Sequence, residues 1–235
     1  MCIIVDVYNM GVFRYQGYYL GTPAMYHATS GVKNYPNTDG YHLVQLACSR
    51  DLKTWHRLGN RSPFIGPSPL SSGAYDLAQI IGSSNVILRD DELWFYYTGL
   101  KYRNTWDYVG EYSDGEHIPV TGFDSDIGAI NLAVLRRDGF ILLNANHQEG
   151  RFQTCPFLLV GGKIFVNLNA GHGQLRAEVI DPDGNALMKS YLINEDSTSV
   201  AVKWKSGDLS GLRGEMISLR FSLQQAEFYA YWLDA

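Results

Sequence analysis

"ACSRDLKTWHRLG", residues 47–59, is a strand-like run that is broken by a hydroxyl, a carboxylate and an indole before it resumes. Asp51 can accept backbone N–H groups in the turn after the first strand, and the Ser49 hydroxyl can do the same more weakly. Trp55, at the start of the next strand, supplies a large apolar surface with one N–H donor. The spacing therefore predicts two antiparallel strands whose connecting turn is fixed by its own side chains.

Strand signals of this kind extend through the whole chain, whereas helix signals are nearly absent. Alternating, β-branched and aromatic runs are separated by Gly, Asn and Asp, in a chain with 24 glycines and 13% aromatic residues. This pattern predicts an all-β protein. The expected strands are Val12–Tyr15, Tyr18–Met25, Leu43–Ala47, Asn85–Leu88, Leu93–Thr98, Ile127–Leu135, Phe140–Leu143, Lys163–Leu168, Gln174–Ile180, Ser199–Trp204, Met216–Leu223 and Ala226–Leu233.

The first half of the chain contains a weak internal repeat. VFRYQGYYLGTPAMY (12–26) and VILRDDELWFYYTGL (86–100) both have the pattern of a hairpin, with turns at Gln16-Gly17 and Asp90-Asp91. A further strand follows each hairpin after a loop, which is longer in the second copy (101–126) than in the first (27–40). A repeated unit of short antiparallel strands is typical of β-propeller blades, and the first half has room for about two of them.

The second half has shorter loops and a different character. Asp183-Gly184 is a two-residue hairpin signal, and Leu219, Phe221 and Leu223 alternate with polar residues. About eight strands in this length are typical of a β-sandwich. We therefore expect a partial β-propeller in residues 1–137 and a β-sandwich in residues 138–235.

Composition argues against several classes of protein. The net charge of −5 is spread without a basic stripe, so no nucleic-acid partner is expected. No apolar run reaches the length of about 18 residues that a membrane span requires, and the N-terminus has no signal-peptide pattern. These features predict no membrane partner and, if the chain is complete, a cytoplasmic location. Cys2, Cys48 and Cys155 are isolated and are expected to be buried thiols.

The segment Ser49-x-Asp51-Leu52-x-x-Trp55 resembles the S-x-D-L-x-x-W signature of five-bladed propeller glycoside hydrolases such as families 32 and 43. The aromatic hairpins around it and the expected sandwich at the C-terminus extend the resemblance. It implies hydrolysis of glycosidic bonds in the intact protein, with a carbohydrate as substrate. It also implies that the N-terminal catalytic blades of such enzymes are missing here, so that the chain is inactive alone or depends on those blades or on a partner chain.

Two carboxylates are the candidates for catalysis. Glycoside hydrolysis needs a pair of carboxyl groups about 5–9.5 Å apart on one sugar. Asp6 and Asp76 occupy similar places in the repeat, each ahead of a hairpin, and are the predicted catalytic residues. The alternative is that both only end turns or accept backbone hydrogen bonds, or that they contact a sugar without catalysis.

The predicted substrate-binding residues are polar or aromatic. Gln79 and Asn85 alternate at the entry to a strand, where they could bind sugar hydroxyls or satisfy backbone groups. Trp106 and Tyr108 lie beside carboxylates in the long loop and could stack on a sugar ring, although loops also fold over their own aromatic residues. The histidines lack metal-ligand spacing, so neither a metal nor a cofactor is predicted.

Two other classes of function stay open at this point. A carbohydrate-binding module without catalysis would bind sugar through its aromatic residues. A structural or assembly domain would pair with another chain through an open propeller edge, because an uncapped blade leaves strand N–H and C=O groups unpaired.

Overall fold

The computed structural model describes residues 4–31, 38–101 and 126–234 and is all-β. It divides into two compact units, Met1–Val134 and Leu135–Ala235. The described helical residues are confined to three short 3-10 turns: Gly59–Arg61, Leu70–Ser72 and Leu209–Leu212. Within the described ranges, no helix is long and apolar enough to cross a membrane.

The first unit contains two antiparallel sheets. Its strands are β1 (Ile4–Tyr15), β2 (Tyr18–Gly31), β3 (Thr38–Val44), β4 (Ala47–Ser49), β5 (His56–Arg57), β6 (Gln79–Ile81), β7 (Ile87–Arg89), β8 (Glu92–Leu100) and β9 (Gly128–Arg136), whose last two residues belong to the second unit.

The first sheet is built outward from the β1–β2 hairpin. Its turn residues Gln16 and Gly17 both have positive φ angles, 46° and 82°, which match the twist of the flanking strands. Strands β3 and β4 both pair with β2, and β5 pairs with β4. In the second sheet, β6, β7 and β9 all pair with β8. Both sheets therefore have a hairpin followed by another strand, the order that the sequence repeat predicts.

The turn after β4 has the side-chain bonding that its sequence predicts. The Ser49 hydroxyl accepts the backbone N–H of Leu52 at 2.9 Å, and Asp51 Oδ1 accepts those of Lys53 and Thr54 at 2.9 and 2.8 Å. These backbone bonds hold the pKa of Asp51 below its ordinary value. The prediction that Ser49 and Asp51 fix this turn is confirmed.

Aromatic side chains pack the two sheets of the first unit against each other. The Phe13 ring from β1 meets the Phe95 ring from β8 edge-to-face at 6.0 Å, and Phe64 meets Phe95 at 5.4 Å. Glycine also allows a close approach within this unit: a Cβ on Gly11 of β1 would lie 2.7 Å from the Cα of Ser84, between β6 and β7. The core of this unit therefore lies between its two sheets.

The second unit also contains antiparallel sheets. Its strands are β10 (Leu143–Ala145), β11 (Gly150–Gln153), β12 (Phe157–Leu158), β13 (Lys163–Asn169), β14 (Gln174–Ile180), β15 (Ala186–Lys189), β16 (Asp196–Ala201), β17 (Met216–Gln224) and β18 (Ala226–Asp234).

These strands form two sheets that share one core. One sheet has the order β10-β18-β13-β16, and the other has β11-β17-β14-β15 with β12 also on β17. Leu168 and Phe228 from the first sheet and Leu175 and Phe221 from the second belong to a single cluster of buried side chains. The predicted alternation along β17 is confirmed, since Leu219, Phe221 and Leu223 are buried and the residues between them are half-buried.

The cysteines depart from their predicted burial. Cys155, in the segment between β11 and β12, is exposed, and Cys48 is half-buried. The prediction of a buried thiol is therefore wrong for Cys155, because this segment lies outside the hydrophobic cluster of the second unit. Cys2 lies outside the described residues.

Candidate functional site

Three residues form a row across the first sheet. Asp6 on β1 is paired with Tyr26 on β2, and Tyr26 is paired with His42 on β3. Directly opposed residues on antiparallel strands project from the same face of a sheet, with Cβ atoms of neighbours about 5 Å apart. The Asp6 and His42 side chains therefore share one face, about 10 Å apart at their Cβ atoms. Asp6 is exposed, whereas His42 is 3% exposed.

His42 is held by Gln79, which begins β6 in the other sheet. Gln79 Nε2 donates to the carbonyl of Gly40 at 3.1 Å, so its Oε1 is the atom that faces His42. An amide oxygen can only accept, and His42 Nδ1 must therefore donate to it. The tautomer of His42 is thereby fixed, with the proton on Nδ1 and a lone pair on Nε2.

The Nε2 atom of His42 is shielded from solvent and has no hydrogen-bond partner among the described residues. The ring lies among tyrosines, with the Tyr8 centroid at 4.6 Å and the Tyr26 centroid at 4.8 Å. Burial lowers the pKa of His42, the Gln79 bond acts in the opposite direction, and the nearby His27 lowers it further. His42 is consequently a neutral imidazole at pH 7, and its Nε2 can accept a proton or a hydrogen bond.

Tyr8 lies against the His42 ring. It is the extra residue of a β-bulge, because the pairing of β1 with β2 shifts between Val7 and Asn9. Bulges commonly redirect a side chain next to a functional site. The Tyr8 side chain is 65% exposed, and its ring meets the His42 ring in a T-shaped arrangement. We call Asp6, Tyr8, Tyr26, His42 and Gln79 the His42 site.

Asp76, the second predicted catalytic carboxylate, has different surroundings. It is 5% exposed, and Tyr97 donates its phenol proton to Asp76 Oδ2 at 2.7 Å. Burial, together with the Asp76 carboxylate, raises the pKa of Tyr97 above its ordinary value, so the phenol stays protonated as a donor. Gly99 leaves room for Asp76, because a Cβ at Gly99 would lie 2.8 Å from that of Asp76. The Asp76 carboxylate is thus enclosed, unlike that of Asp6.

The other predicted binding residues are distributed over different places. Gln79 belongs to the His42 site. Asn85 lines a separate open groove of about 420 Å³ with Trp94 and Tyr96, and its Oδ1 accepts the backbone N–H of Val86 at 2.8 Å. Trp106 and Tyr108 lie outside the described residues. The described ranges contain no group of three or more His, Cys, Asp and Glu side chains arranged to hold a metal.

Three members of the His42 site, Tyr8, Tyr26 and His42, were missed by reasoning from sequence. His42 lies one residue from the expected strand Leu43–Ala47 and has no neighbouring ligand-type residue at a regular spacing. Its partner Gln79 lies in the other sheet, and their meeting depends on how the two sheets pack. Tyr8 reaches His42 from a bulge that its sequence does not mark.

No protein-family model and no curated protein matches this chain. Among solved structures, a family 43 arabinoxylan arabinofuranohydrolase from Bacillus subtilis, in complex with cellotetraose, is 10% identical. That match covers 96% of this chain and 53% of the other, with a TM-score of 0.26.

The family 32 β-fructofuranosidase from Bombyx mori is also 10% identical, over 94% of this chain and 65% of the other, with a TM-score of 0.22. A mutant of that enzyme in complex with sucrose is 8% identical over 95% and 64% of the two chains, with the same TM-score. The chain thus spans between half and two thirds of the length of these enzymes, and the resemblance is weak and confined to the fold.

Proposed function

We propose that this chain is a glycoside-hydrolase-like carbohydrate-binding protein, with a partial two-bladed β-propeller in residues 1–137 and a β-sandwich in residues 138–235. The His42 site is the proposed sugar site. The observation that carries this proposal is the buried Nε2 of His42, which no described residue bonds, on the same sheet face as the exposed carboxylate of Asp6.

The chemistry of the His42 site suits a polyhydroxylated ligand. A sugar hydroxyl donates to the lone pair of His42 Nε2, and a second hydroxyl donates to the Asp6 carboxylate. Tyr26, whose side chain is only 9% exposed, lies between these two acceptors in the cross-strand row. Each acceptor thus receives a donor from the ligand.

Binding at Nε2 requires the Tyr8 ring to move. That ring contacts the imidazole in a T-shaped arrangement, and because it is largely exposed it has few contacts to lose. We propose that the sugar displaces Tyr8 and takes its place against the imidazole. The buried Nε2 would then gain the hydrogen bond that it lacks.

Hydrolysis would need a pair of carboxyl groups acting on one sugar. Asp6 and Asp76 are the proposed carboxylate pair, with Asp6 as the exposed member and Asp76 bonded to Tyr97. Asp76 could act on a sugar only after its bond to Tyr97 is exchanged. We therefore propose that this chain binds a carbohydrate without cleaving it, and that cleavage needs further blades or a partner chain.

Titration calorimetry with fructo-, arabino- and xylo-oligosaccharides tests the sugar site. His42→Asn places an amide nitrogen near the former Nδ1, which keeps a donor for Gln79 but removes the Nε2 acceptor. We expect at least one oligosaccharide to bind, and His42→Asn to weaken it about tenfold, the value of one hydrogen bond. His27→Asn is the matched control, because His27 also has a buried, unpartnered Nε2 but belongs to the neighbouring row with Val5 and Tyr41. Equal affinities of the wild type and His42→Asn would exclude the site.

Assembly with another chain is a second candidate function. Ile87, Tyr96, Ile130, Leu132 and Val134 are all exposed apolar residues of the second sheet of the first unit. Contiguous exposed apolar surface is typical of interaction sites. If this surface binds protein, the purified chain will self-associate or bind a longer homologue in sedimentation experiments, and Ile130→Lys will prevent it. A monomer that binds no homologue would contradict this function and leave the sugar site unaffected.

A further inference from the structure

The sheet β11-β17-β14-β15 of the second unit carries a row of cationic side chains on its polar face. Arg151 on β11 is paired with Ser222 on β17, and Ser222 is paired with Arg176 on β14. The neighbouring residues Phe221 and Leu223 point into the core. The three paired side chains therefore share the opposite face, with two guanidinium groups on either side of a hydroxyl.

The carboxylates near this row are already engaged. Arg151 donates to Glu149 at 2.6 Å. Glu178 accepts from Lys189 at 2.9 Å and from Arg220 at 3.4 Å. Burial by itself raises the pKa of Glu178, but these two cations outweigh burial and the pKa lies below its ordinary value. Glu178 is thus ionised and is bonded to Lys189 and Arg220 rather than to Arg176.

Arg176 has no carboxylate partner among the described residues. Its Nε is shielded from solvent and has no hydrogen-bond acceptor there. A guanidinium stays charged at any pH that proteins tolerate, so Arg176 cannot remove its unpaired charge by losing a proton. The Ser222 hydroxyl beside it also has no hydrogen-bond partner within the described segments. The row therefore contains unused donors next to an uncompensated positive charge.

These side chains line an open groove of about 290 Å³, close to the lower end of the volumes of small-ligand sites, roughly 300–1,000 Å³. Four cationic side chains, Arg151, Arg176, Lys189 and Arg220, face two carboxylates, Glu149 and Glu178. The groove is therefore positive in a chain whose net charge is −5. Its remaining lining is mainly polar and includes Gln174 and Gln224, whose amides are bonded to each other at 3.2 Å.

We infer that this groove binds the oxyanion group of a small ligand, with Arg176 as the principal contact and Ser222 and Arg151 beside it. The planar fork of a guanidinium matches carboxylate, sulfate and phosphate oxygens with two parallel hydrogen bonds. An oxyanion here accepts from Arg176 and from the Ser222 hydroxyl and compensates the unpaired charge. This site lies in the second unit and is independent of the His42 site.

Titration calorimetry of the full chain at low ionic strength tests the anion site with three probes. Glucuronate offers a carboxylate on a sugar, inorganic sulfate offers a free tetrahedral oxyanion, and glucose is the neutral match for glucuronate. We expect saturable binding of glucuronate, sulfate or both, and none of glucose. Glucuronate binding alone assigns the groove to carboxylates, and sulfate binding alone assigns it to tetrahedral oxyanions.

Arg176→Gln removes the charge without breaking an ion pair, and we expect it to weaken oxyanion binding at least tenfold. Arg213→Gln is the control for the loss of one positive charge, because Arg213 lines a different cavity and donates to the Val160 carbonyl at 3.2 Å. A circular dichroism spectrum verifies that each variant is folded. The site is wrong if neither anion binds, if glucose binds as tightly as glucuronate, or if Arg176→Gln and Arg213→Gln have the same affinity.

Discussion

His42 Nδ1 donates its proton to Gln79 Oε1, and this bond joins β3 of the first sheet to β6 of the second. Both side chains are nearly inaccessible to solvent, at 3% and 2% exposure. Gln79 Nε2 also donates to the Gly40 carbonyl at 3.1 Å. One amide thus satisfies two buried polar groups, whereas His42 Nε2 has no hydrogen-bond partner in the described part of the chain.

Replacement of this amide should destabilise the first unit. Gln79→Leu leaves the Nδ1–H of His42 and the Gly40 carbonyl buried without partners, at a cost of about 1–3 kcal/mol for each unsatisfied group. We expect the free energy of unfolding in urea to fall by at least ~1 kcal/mol. Asn85→Leu is the control, because Asn85 is exposed and should change stability by less than ~0.5 kcal/mol. Equal effects of the two substitutions would contradict the role of Gln79.

The free energy of unfolding should depend on pH through His42 and His27. Burial is the main cause that lowers the pKa of both His42 and His27 from the ordinary value of 6.5, and Arg57 contributes at His27. The unfolded chain therefore takes up protons at a higher pH than the folded chain. The stability that comes from keeping these histidines neutral is fully present above pH 6.5. It is lost as the pH falls from there towards the folded pKa values.

Urea unfolding between pH 7.5 and 5 measures this dependence. We expect stability to fall towards acid in the wild type and the fall to be smaller in the double variant His27→Asn/His42→Asn, which has no titrating group at either position. The opposite result would be a wild type that gains stability as the pH falls from 6.5 to 5, with no such gain in the double variant. It would show that the pKa values of His27 and His42 are raised in the folded chain.

Gly99 should be required for the enclosed position of Asp76. A Cβ at Gly99 would lie 2.8 Å from the Asp76 Cβ and 2.9 Å from its Cα, and it would also meet the Asn131 side-chain amide, so Gly99→Ala forces the backbone or the side chains to shift. Overpacking of this kind costs about 1–3 kcal/mol. Gly162→Ala is the matched control, because a Cβ there meets nothing within 4 Å. Thermal unfolding should show a lower midpoint for Gly99→Ala only; an unchanged midpoint would mean that Asp76 is not held against this strand.

Local sequence signals predicted the strands and turns well. The positive φ angles at Gln16-Gly17 suit the hairpin expected there, and the Ser49 and Asp51 side chains bond within their own turn. Alternation also identified the buried face of β17 through Phe221. These features depend on residues a few positions apart, and such short-range patterns are visible in a sequence.

Features that depend on long-range contacts were predicted less well from the sequence. Asp6 was placed ahead of the first hairpin, whereas β1 begins at Ile4 and includes it, because the bulge at Tyr8 disturbs the alternation that would mark a continuous strand. Phe140 was placed in a strand but lies in a turn, whose Arg137 carbonyl accepts from Asn167 at 2.7 Å. The bond between His42 and Gln79 depends on the packing of two sheets, which no local pattern encodes.

The protonation of the His42 ring is the most direct test of the sugar site. Nitrogen-15 NMR of the histidine side chains distinguishes a protonated ring nitrogen from one with a lone pair and reports a hydrogen bond to that lone pair. We predict a proton on Nδ1, a bare Nε2 at pH 7, and a shift of the Nε2 resonance towards the hydrogen-bonded value when a bound oligosaccharide saturates the protein. A proton on Nε2, or an Nε2 resonance that does not move while the sugar binds, would contradict the account.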